Sequence, residues 1–272
     1  MIAFPNCKIN LGLNILAKKE DGFHDLETVF FPINIYDVLE LIPSQENTTQ
    51  LTTSGISLGE AENNICLKAY YLLKKDYPDL PAIKIHLHKA IPLGAGLGGG
   101  SADGVATLQL LNKKFSLNIT ENQFFDYALK LGSDCPFFLL NKPVFASGRG
   151  EILEPLQLSL SGYKTIIINP GIHISTTEAF KNIIPSIPKK RIKEILKQSI
   201  DTWKKELVND FEKSVFKKYP LINKIKNDLY EKGAIYSAMS GSGSTVYGIF
   251  KDDWITNYIA PYGYFYKIIK AA

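Results

Sequence analysis

Residues 8–16 read Lys-Ile-Asn-Leu-Gly-Leu-Asn-Ile-Leu, so Ile9, Leu11, Leu13 and Ile15 alternate with Lys8, Asn10, Gly12 and Asn14. A period of two predicts a strand with one buried face and puts Lys8 and Asn10 on the same side. Asp21-Gly22 turns the chain, and His24 to Leu41, rich in β-branched and aromatic residues, predicts further strand. Asn63 or Asn64 caps a predicted helix through about Lys75, its apolar face being Ile65, Leu67, Ala69, Leu72 and Leu73. Ile83 to His88 predicts a short strand. A glycine-rich run from Ile91 to Asp103 leads into a helix ending near Asn112. Thr120 and Gln123 form a capping box for the next helix, which stops at Gly132. Val144 to Gly150 closes this half, with Arg149-Gly150-Glu151 as an exposed turn.

A different pattern follows. Lys164 to Asn169 is a compact Ile-rich strand ending in Asn169-Pro170-Gly171. Residues 185–233 carry Lys and Glu at helical spacing, punctuated by Pro185, Pro188, Pro220 and Gly233. Ile235 to Phe250 holds a second Gly/Ser loop, Met239-Ser240-Gly241-Ser242-Gly243-Ser244, between two strand-like segments. The expected class is α+β in two domains, residues 1–156 and 157–272.

Composition removes several alternatives. With 272 residues, 45% hydrophobic and 21% charged, the chain can bury a large core without disulfides or structural metal. Its net charge of +4 is too small and dispersed for a nucleic-acid binder, but suits a pocket for anionic small molecules. Three cysteines (Cys7, Cys66, Cys135) without CxxC spacing argue for a reducing compartment, and the histidines form no HExxH cluster. No signal peptide or membrane span is evident, so a cytoplasmic protein acting on a small molecule, with no nucleic-acid or membrane partner, is expected. Oligomeric state is not set by these features.

The strongest local signal is Pro92-Leu93-Gly94-Ala95-Gly96-Leu97-Gly98-Gly99-Gly100-Ser101-Ala102, in which five of the seven residues 94–100 are glycine. Backbone without Cβ atoms can aim several N–H groups at one anion, and the following helix adds the positive end of its dipole. A flexible linker would not sit between an apolar strand and an apolar helix. Gly94-x-Gly96-x-x-Gly99 formally satisfies a dinucleotide fingerprint, but Pro92 interrupts the feeding strand and the second parallel strand is poorly supported. A Walker A loop would have lysine before Ser101, and protein-kinase HRD and DFG partners are absent.

The complete string resembles the phosphate loop P-x-x-x-G-L-G-S-S-A of the GHMP kinases (galactokinase, homoserine kinase, mevalonate kinase, phosphomevalonate kinase), and Met239 to Gly243 resembles their other glycine motif. Lys8-Ile9-Asn10-Leu11, Asp21-Gly22-Phe23-His24 and Gly132-Ser133-Asp134-Cys135-Pro136 resemble one branch, which phosphorylates the 2-hydroxyl of a diphosphocytidyl-linked polyol in isoprenoid synthesis. Phe23 and Ser133 stand where that branch often has Tyr and Ala. The resemblance runs from residue 8 to about residue 250. It implies a ribosomal-protein-S5-like N-terminal domain, a ferredoxin-like C-terminal domain and an active site in the cleft between them.

The resemblance also implies roles. ATP phosphates lie on residues 92–102, and Mg²⁺ bridges them with Ser101 as one donor, no carboxylate partner being evident. Asp134 takes or orients the proton of the attacking hydroxyl, and Lys8 holds Asp134 ionised. Asn10, Thr176, Gly241, Ser242 and Gly243 line the acceptor site. Phe23 and His24 flank the cytosine on one side and Phe180 on the other. Each residue has a plainer reading. By position Asp134 is a good helix N-cap, Lys8 a solvated strand lysine, His24 an exposed loop histidine, Ser240 to Ser244 a hairpin turn, and the cysteines small buried hydrophobes.

Overall fold

The computed structural model describes residues 1–58, 64–181, 183–254 and 258–270. In chain order the elements are β1 (Ile2–Ala3), β2 (Asn6–Lys18), β3 (His24–Tyr36), β4 (Val38–Pro43), β5 (Gln50–Gly55), α1 (Ile65–Asp76), β6 (Ile83–Lys89), α2 (Gly99–Phe115), α3 (Glu121–Leu131), α4 (Cys135–Leu140), β7 (Val144–Gly148), β8 (Ile152–Pro155), β9 (Tyr163–Asn169), α5 (Thr176–Phe180), α6 (Ile192–Leu196), α7 (Trp203–Glu206), α8 (Phe211–Lys218), α9 (Pro220–Glu231), β10 (Tyr236–Met239), β11 (Val246–Lys251) and β12 (Phe265–Lys270). The α+β expectation holds.

The described residues pack into two compact units, each drawn from several stretches: residues 1–7, 34–93 and 98–141 in the first, and residues 8–33, 94–97 and 142–272 in the second. A single cut near Leu156 does not separate them. The reason is long-range pairing: β3 pairs with β7 from Leu26↔Gly148 to Phe30↔Val144, which draws early strands into a unit otherwise built from the later chain.

In the first unit a sheet of order β1-β4-β6-β5 is antiparallel except for β5 beside β6. Alternation in β4 and β6 turns Leu39, Leu41, Ile83, Ile85 and Leu87 onto α1 and α2. Asn64 caps α1 by accepting from the Cys66 amide at 2.8 Å, while Asn63 lies outside the described residues. The buried side of α1 is Cys66, Ala69, Tyr70 and Leu73, rotated slightly from the predicted stripe. Helix α2 outlasts the expected end at Asn112, stopping at Ser116, which takes the left-handed conformation. The capping box of α3 is present, and Gly132 ends the helix.

The second unit holds two sheets, β2-β3-β7-β8 and β10-β11-β9-β12. The second is antiparallel, with Ile166, Ile168, Val246 and Phe250 packed against Ile222, Ile225 and Leu229 of α9. Strand β2 is buried on both faces rather than one: Ile9, Leu11 and Ile15 are fully buried, and so nearly are Lys8, Asn10 and Asn14. The 149–151 turn is half-buried, not exposed. The Arg149 guanidinium lies 3.7 Å over the Phe23 ring and donates to Asp21 at 2.6 Å.

Candidate active site

The polar side of β2 is buried and hydrogen-bonded. Lys8 and Asn10 share a strand face, and Lys8 Nζ donates to Asn10 Oδ1 at 2.6 Å and to the Gly96 carbonyl at 3.2 Å. Asn10 Nδ2 donates to Thr28 Oγ1 at 3.0 Å, and Thr28 in turn donates to the Gly12 carbonyl at 2.5 Å. Ser240 closes the arrangement: its Oγ accepts the Asn10 amide at 3.1 Å and donates to the Gly96 carbonyl at 2.8 Å. The two glycine motifs, far apart in sequence, therefore meet at Gly96 and Ser240 over the Lys8–Asn10 face. Lys8 is no solvated lysine, and the Ser240 loop is more than a hairpin turn.

Glycine is required where the motifs meet. Gly96 has φ of +77°, and a Cβ there would lie 2.0 Å from the Ser240 carbonyl oxygen. On Gly241 a Cβ would sit 3.2 Å from Asn10 Oδ1. Gly243 and half-buried Ser242 complete that turn, and the Thr245 amide donates to the Ala95 carbonyl at 3.2 Å.

Residues that carry no motif hold this loop in place. Buried Asn209 donates to the Met239 carbonyl at 2.7 Å and the Gly241 carbonyl at 2.8 Å, while accepting from the Phe211 amide at 3.0 Å. Glu212 accepts the Met239 amide at 2.8 Å and is paired with Lys226. Asn169 donates to Ser244 and Thr245. Converting Asn209→Asp turns an oxygen toward both carbonyls, so stability should fall by about 2–5 kcal/mol. Urea denaturation measures it; an unchanged midpoint would show that the loop does not depend on Asn209.

His24 and Phe180 depart from the expected sandwich. Their rings stack directly, 4.6 Å between centroids and 21° between planes. A base between them would require a separation of about 7 Å, since contacting carbons sit 3.5–4.0 Å apart. They form one platform, supported by Phe211 edge-on to Phe180 at 4.8 Å. Burial, and then the Lys18 charge, lower the His24 pKa, so the ring is neutral at pH 7 with one donor and one acceptor. Phe23 is 52% exposed, its ring backed by Arg149. Thr176 opens α5 as an exposed residue, the cap being Ser175, which accepts the Glu178 amide at 3.1 Å. His173 lies beside Gly94, whose Cβ would come within 2.9 Å of Nδ1.

The first unit carries the helix that follows the glycine-rich run. Gly98, with φ of +68°, precedes α2, and Gly99, Gly100, Ser101 and Ala102 form its first turn, a helix start suited to an anion. Pro92 and Leu93 lead into the loop, and Leu97 is buried. Burial pushes the Cys135 thiol up to about 12, and it does the same to Cys66. The cysteines are buried, as expected.

Asp134 stands at the start of α4, but its side chain makes no capping bond. Its φ of −81° and ψ of −15° are already helical, whereas a capping side chain reaches back from extended backbone. Asp134 is half-buried.

A family model described as the N-terminal domain of GHMP kinases matches residues 64–142, and one described as their C-terminal domain matches residues 192–253. The chain belongs to the GHMP kinase family, whose members use ATP as co-substrate. Within the family it is 50% identical over 256 residues to the 4-diphosphocytidyl-2-C-methyl-D-erythritol kinase of Bacteroides fragilis, covering 93% of each chain. It is also 50% identical over 252 residues to the kinase of that name from Cytophaga hutchinsonii, covering 92% of each. A crystal structure of a 4-(cytidine 5'-diphospho)-2C-methyl-D-erythritol kinase superposes with a TM-score of 0.78 at 30% identity, covering 91% of this chain and 89% of that one. Mevalonate kinase of Methanococcus jannaschii shares the fold, with a TM-score of 0.67 at 14% identity.

Proposed function

We propose that the chain transfers the γ-phosphoryl group of ATP to the 2-hydroxyl of 4-diphosphocytidyl-2-C-methyl-D-erythritol, in the cytoplasm. The observation that carries this reading is the buried junction of Lys8, Asn10, Gly96 and Ser240, in a chain half identical to kinases of that name over more than nine-tenths of its length. Phosphoryl transfer leaves a protein mainly positioning and charge stabilisation to supply. Residues 92–102 hold the ATP phosphates through backbone N–H groups and the start of α2. Asp134 takes the proton of the attacking hydroxyl, and Lys8 favours negative charge on that oxygen. Asn10, Gly241, Ser242, Gly243 and Thr176 orient the acceptor.

Mg²⁺ belongs to the same proposal. Among the described residues no group of three or more His, Cys, Asp or Glu side chains is arranged for a metal. An ion that keeps most of its water and is held through substrate phosphates would need few protein donors, and Ser101, with a hydroxyl at the start of α2, would be one. No helix among the described residues is long and apolar enough to cross a membrane.

The test is an ATP-consumption assay against the diphosphocytidyl acceptor, mevalonate, homoserine and galactose, with mass spectrometry of the product. The first should gain one phosphate; preference for another acceptor would overturn the substrate reading while keeping the kinase. A uridine analogue, which exchanges donor and acceptor on the base edge, should lose at least about 10²-fold in kcat/KM, because a buried edge left unpaired is costly. His24→Ala should shrink that preference. Because Phe180 stacks on His24 itself, Phe180→Ala should shrink it too, as well as weakening both analogues. Equal use of the two analogues by the wild type would remove His24 from the base pocket.

A further inference from the structure

In the first unit, three charges lie buried together. Lys89 ends β6, Asp37 sits between β3 and β4, and Asp103 lies in the second turn of α2; their side chains are 0%, 0% and 2% exposed. Lys89 Nζ donates to Asp37 Oδ2 and, at 2.6 Å, to Asp103 Oδ2. Asp37 Oδ1 accepts the backbone amides of Ala90 at 2.6 Å and Ile91 at 2.9 Å. The ammonium also underlies the first turn of α2, since a Cβ on Gly99 would lie 3.1 Å from Nζ.

The cluster thus grips both ends of the phosphate loop. Residues 89–91, where the chain enters it, and residues 99–103, where it leaves into α2, are tied to the same three side chains. A glycine-rich loop otherwise has much conformational freedom to lose on ordering around an anion. We propose that Lys89, Asp37 and Asp103 are positioning residues for ATP, fixing the loop's two ends so that its N–H groups are arranged before the phosphates arrive. The proposal rests on the reading that residues 92–102 bind ATP.

Two carboxyl groups share one ammonium. Burial pushes the Asp103 pKa up to about 7, so near neutrality this carboxyl holds a proton part of the time, and its Oδ1 is buried with no hydrogen-bond partner among the described residues. For stability Asp103 contributes little net: an apolar side chain of similar shape would leave Lys89 and Asp37 as a one-to-one pair, at the loss of one Lys89 hydrogen bond. This separates the two roles experimentally.

Asp103→Leu removes the unpartnered Oδ1 but also takes one acceptor from the buried Lys89 ammonium, so the melting temperature should stay level or fall by a few degrees while α2 is cut loose from the clamp. Calorimetric titration with ATP and steady-state kinetics should show Kd and KM for ATP rising about tenfold, with kcat and the acceptor KM within about twofold. Unchanged ATP affinity in a folded variant would overturn the clamp, as would equal losses for ATP and acceptor. Should the leucine variant fail to fold, Asp103→Asn removes the charge at nearly constant size. There a threefold or greater rise in the ATP Kd is expected, and no rise overturns the proposal. Wild-type protein that binds no ATP would instead overturn the functional reading, and the clamp with it.

Discussion

Asp134→Asn should reduce kcat by about 10²–10⁴ with little change in stability or in KM for ATP. That range matches the loss of a positioned general base, equivalent to about 2.7–5.5 kcal/mol of barrier. The structure makes the substitution cleaner than the sequence suggests. Asp134 occupies the cap position of α4 without a capping bond, so the amide disturbs no helix hydrogen bond. Lys8→Met also removes a charge from the proposed chemistry, but it strips a donor from Asn10 Oδ1 and the Gly96 carbonyl. The Gly96 carbonyl keeps Ser240 at 2.8 Å, but Asn10 Oδ1 is left with only the 3.5 Å contact to Ser240. A buried acceptor so weakened costs about 1–3 kcal/mol, so the kinetic loss would be mixed with disorder at the junction. Stopped-assay turnover and thermal melting of Asp134→Asn make the measurement. Turnover within tenfold of wild type at unchanged melting temperature would remove Asp134 from the proton transfer.

How much of this was legible in the sequence depends on the range over which each feature is fixed. Lys8 and Asn10 were readable as neighbours because positions i and i+2 of a strand share a face whatever packs on it. The Thr120–Gln123 capping box and the Gly132 stop were readable because they close within one helical turn. What covers the Lys8–Asn10 face was not, because Ser240 lies 230 residues away and only the fold delivers it. Asn209 was invisible for the same reason: nothing in a Leu-Val-Asn-Asp stretch announces two carbonyls thirty residues on.

The mistaken expectations have the same origin. Asp134 before Pro136 has the composition of a cap, but capping depends on backbone angles that composition leaves open. His24 and Phe180 are both suited to stacking on a base, but the sequence does not say that they stack on each other. The interleaved units follow from strand pairings between residues more than a hundred positions apart, such as Leu26 with Gly148. In the phosphate loop, by contrast, local and global requirements coincide, and that makes its glycines unequal.

Gly96→Ala should abolish measurable activity, whereas Gly100→Ala should yield a protein at least as stable as the wild type. At Gly96 the added methyl would collide with the Ser240 backbone, 2.0 Å from its oxygen and 2.9 Å from its carbon, at φ of +77°. The left-handed conformation costs a non-glycine residue about 1–2 kcal/mol, and overpacking about 1–3 kcal/mol more. Ser240 cannot retreat cheaply, because it is bonded at once to Asn10, Gly96 and Thr245. The junction should open, taking the phosphate loop and the Lys8–Asn10 face with it, so ATP and acceptor affinities fall together and kcat/KM drops by at least about 10³. At Gly100 nothing lies within 4 Å of the new methyl, and the residue sits inside α2. Alanine there relieves the helix of about 0.5–1 kcal/mol, which for a chain of this size raises the melting temperature by a few degrees. Melting curves and titrations of both variants decide the matter. A Gly96→Ala protein with wild-type kcat/KM would mean that the two glycine motifs do not depend on each other. A Gly100→Ala protein that melts well below the wild type would mean that α2 does not begin where this packing requires.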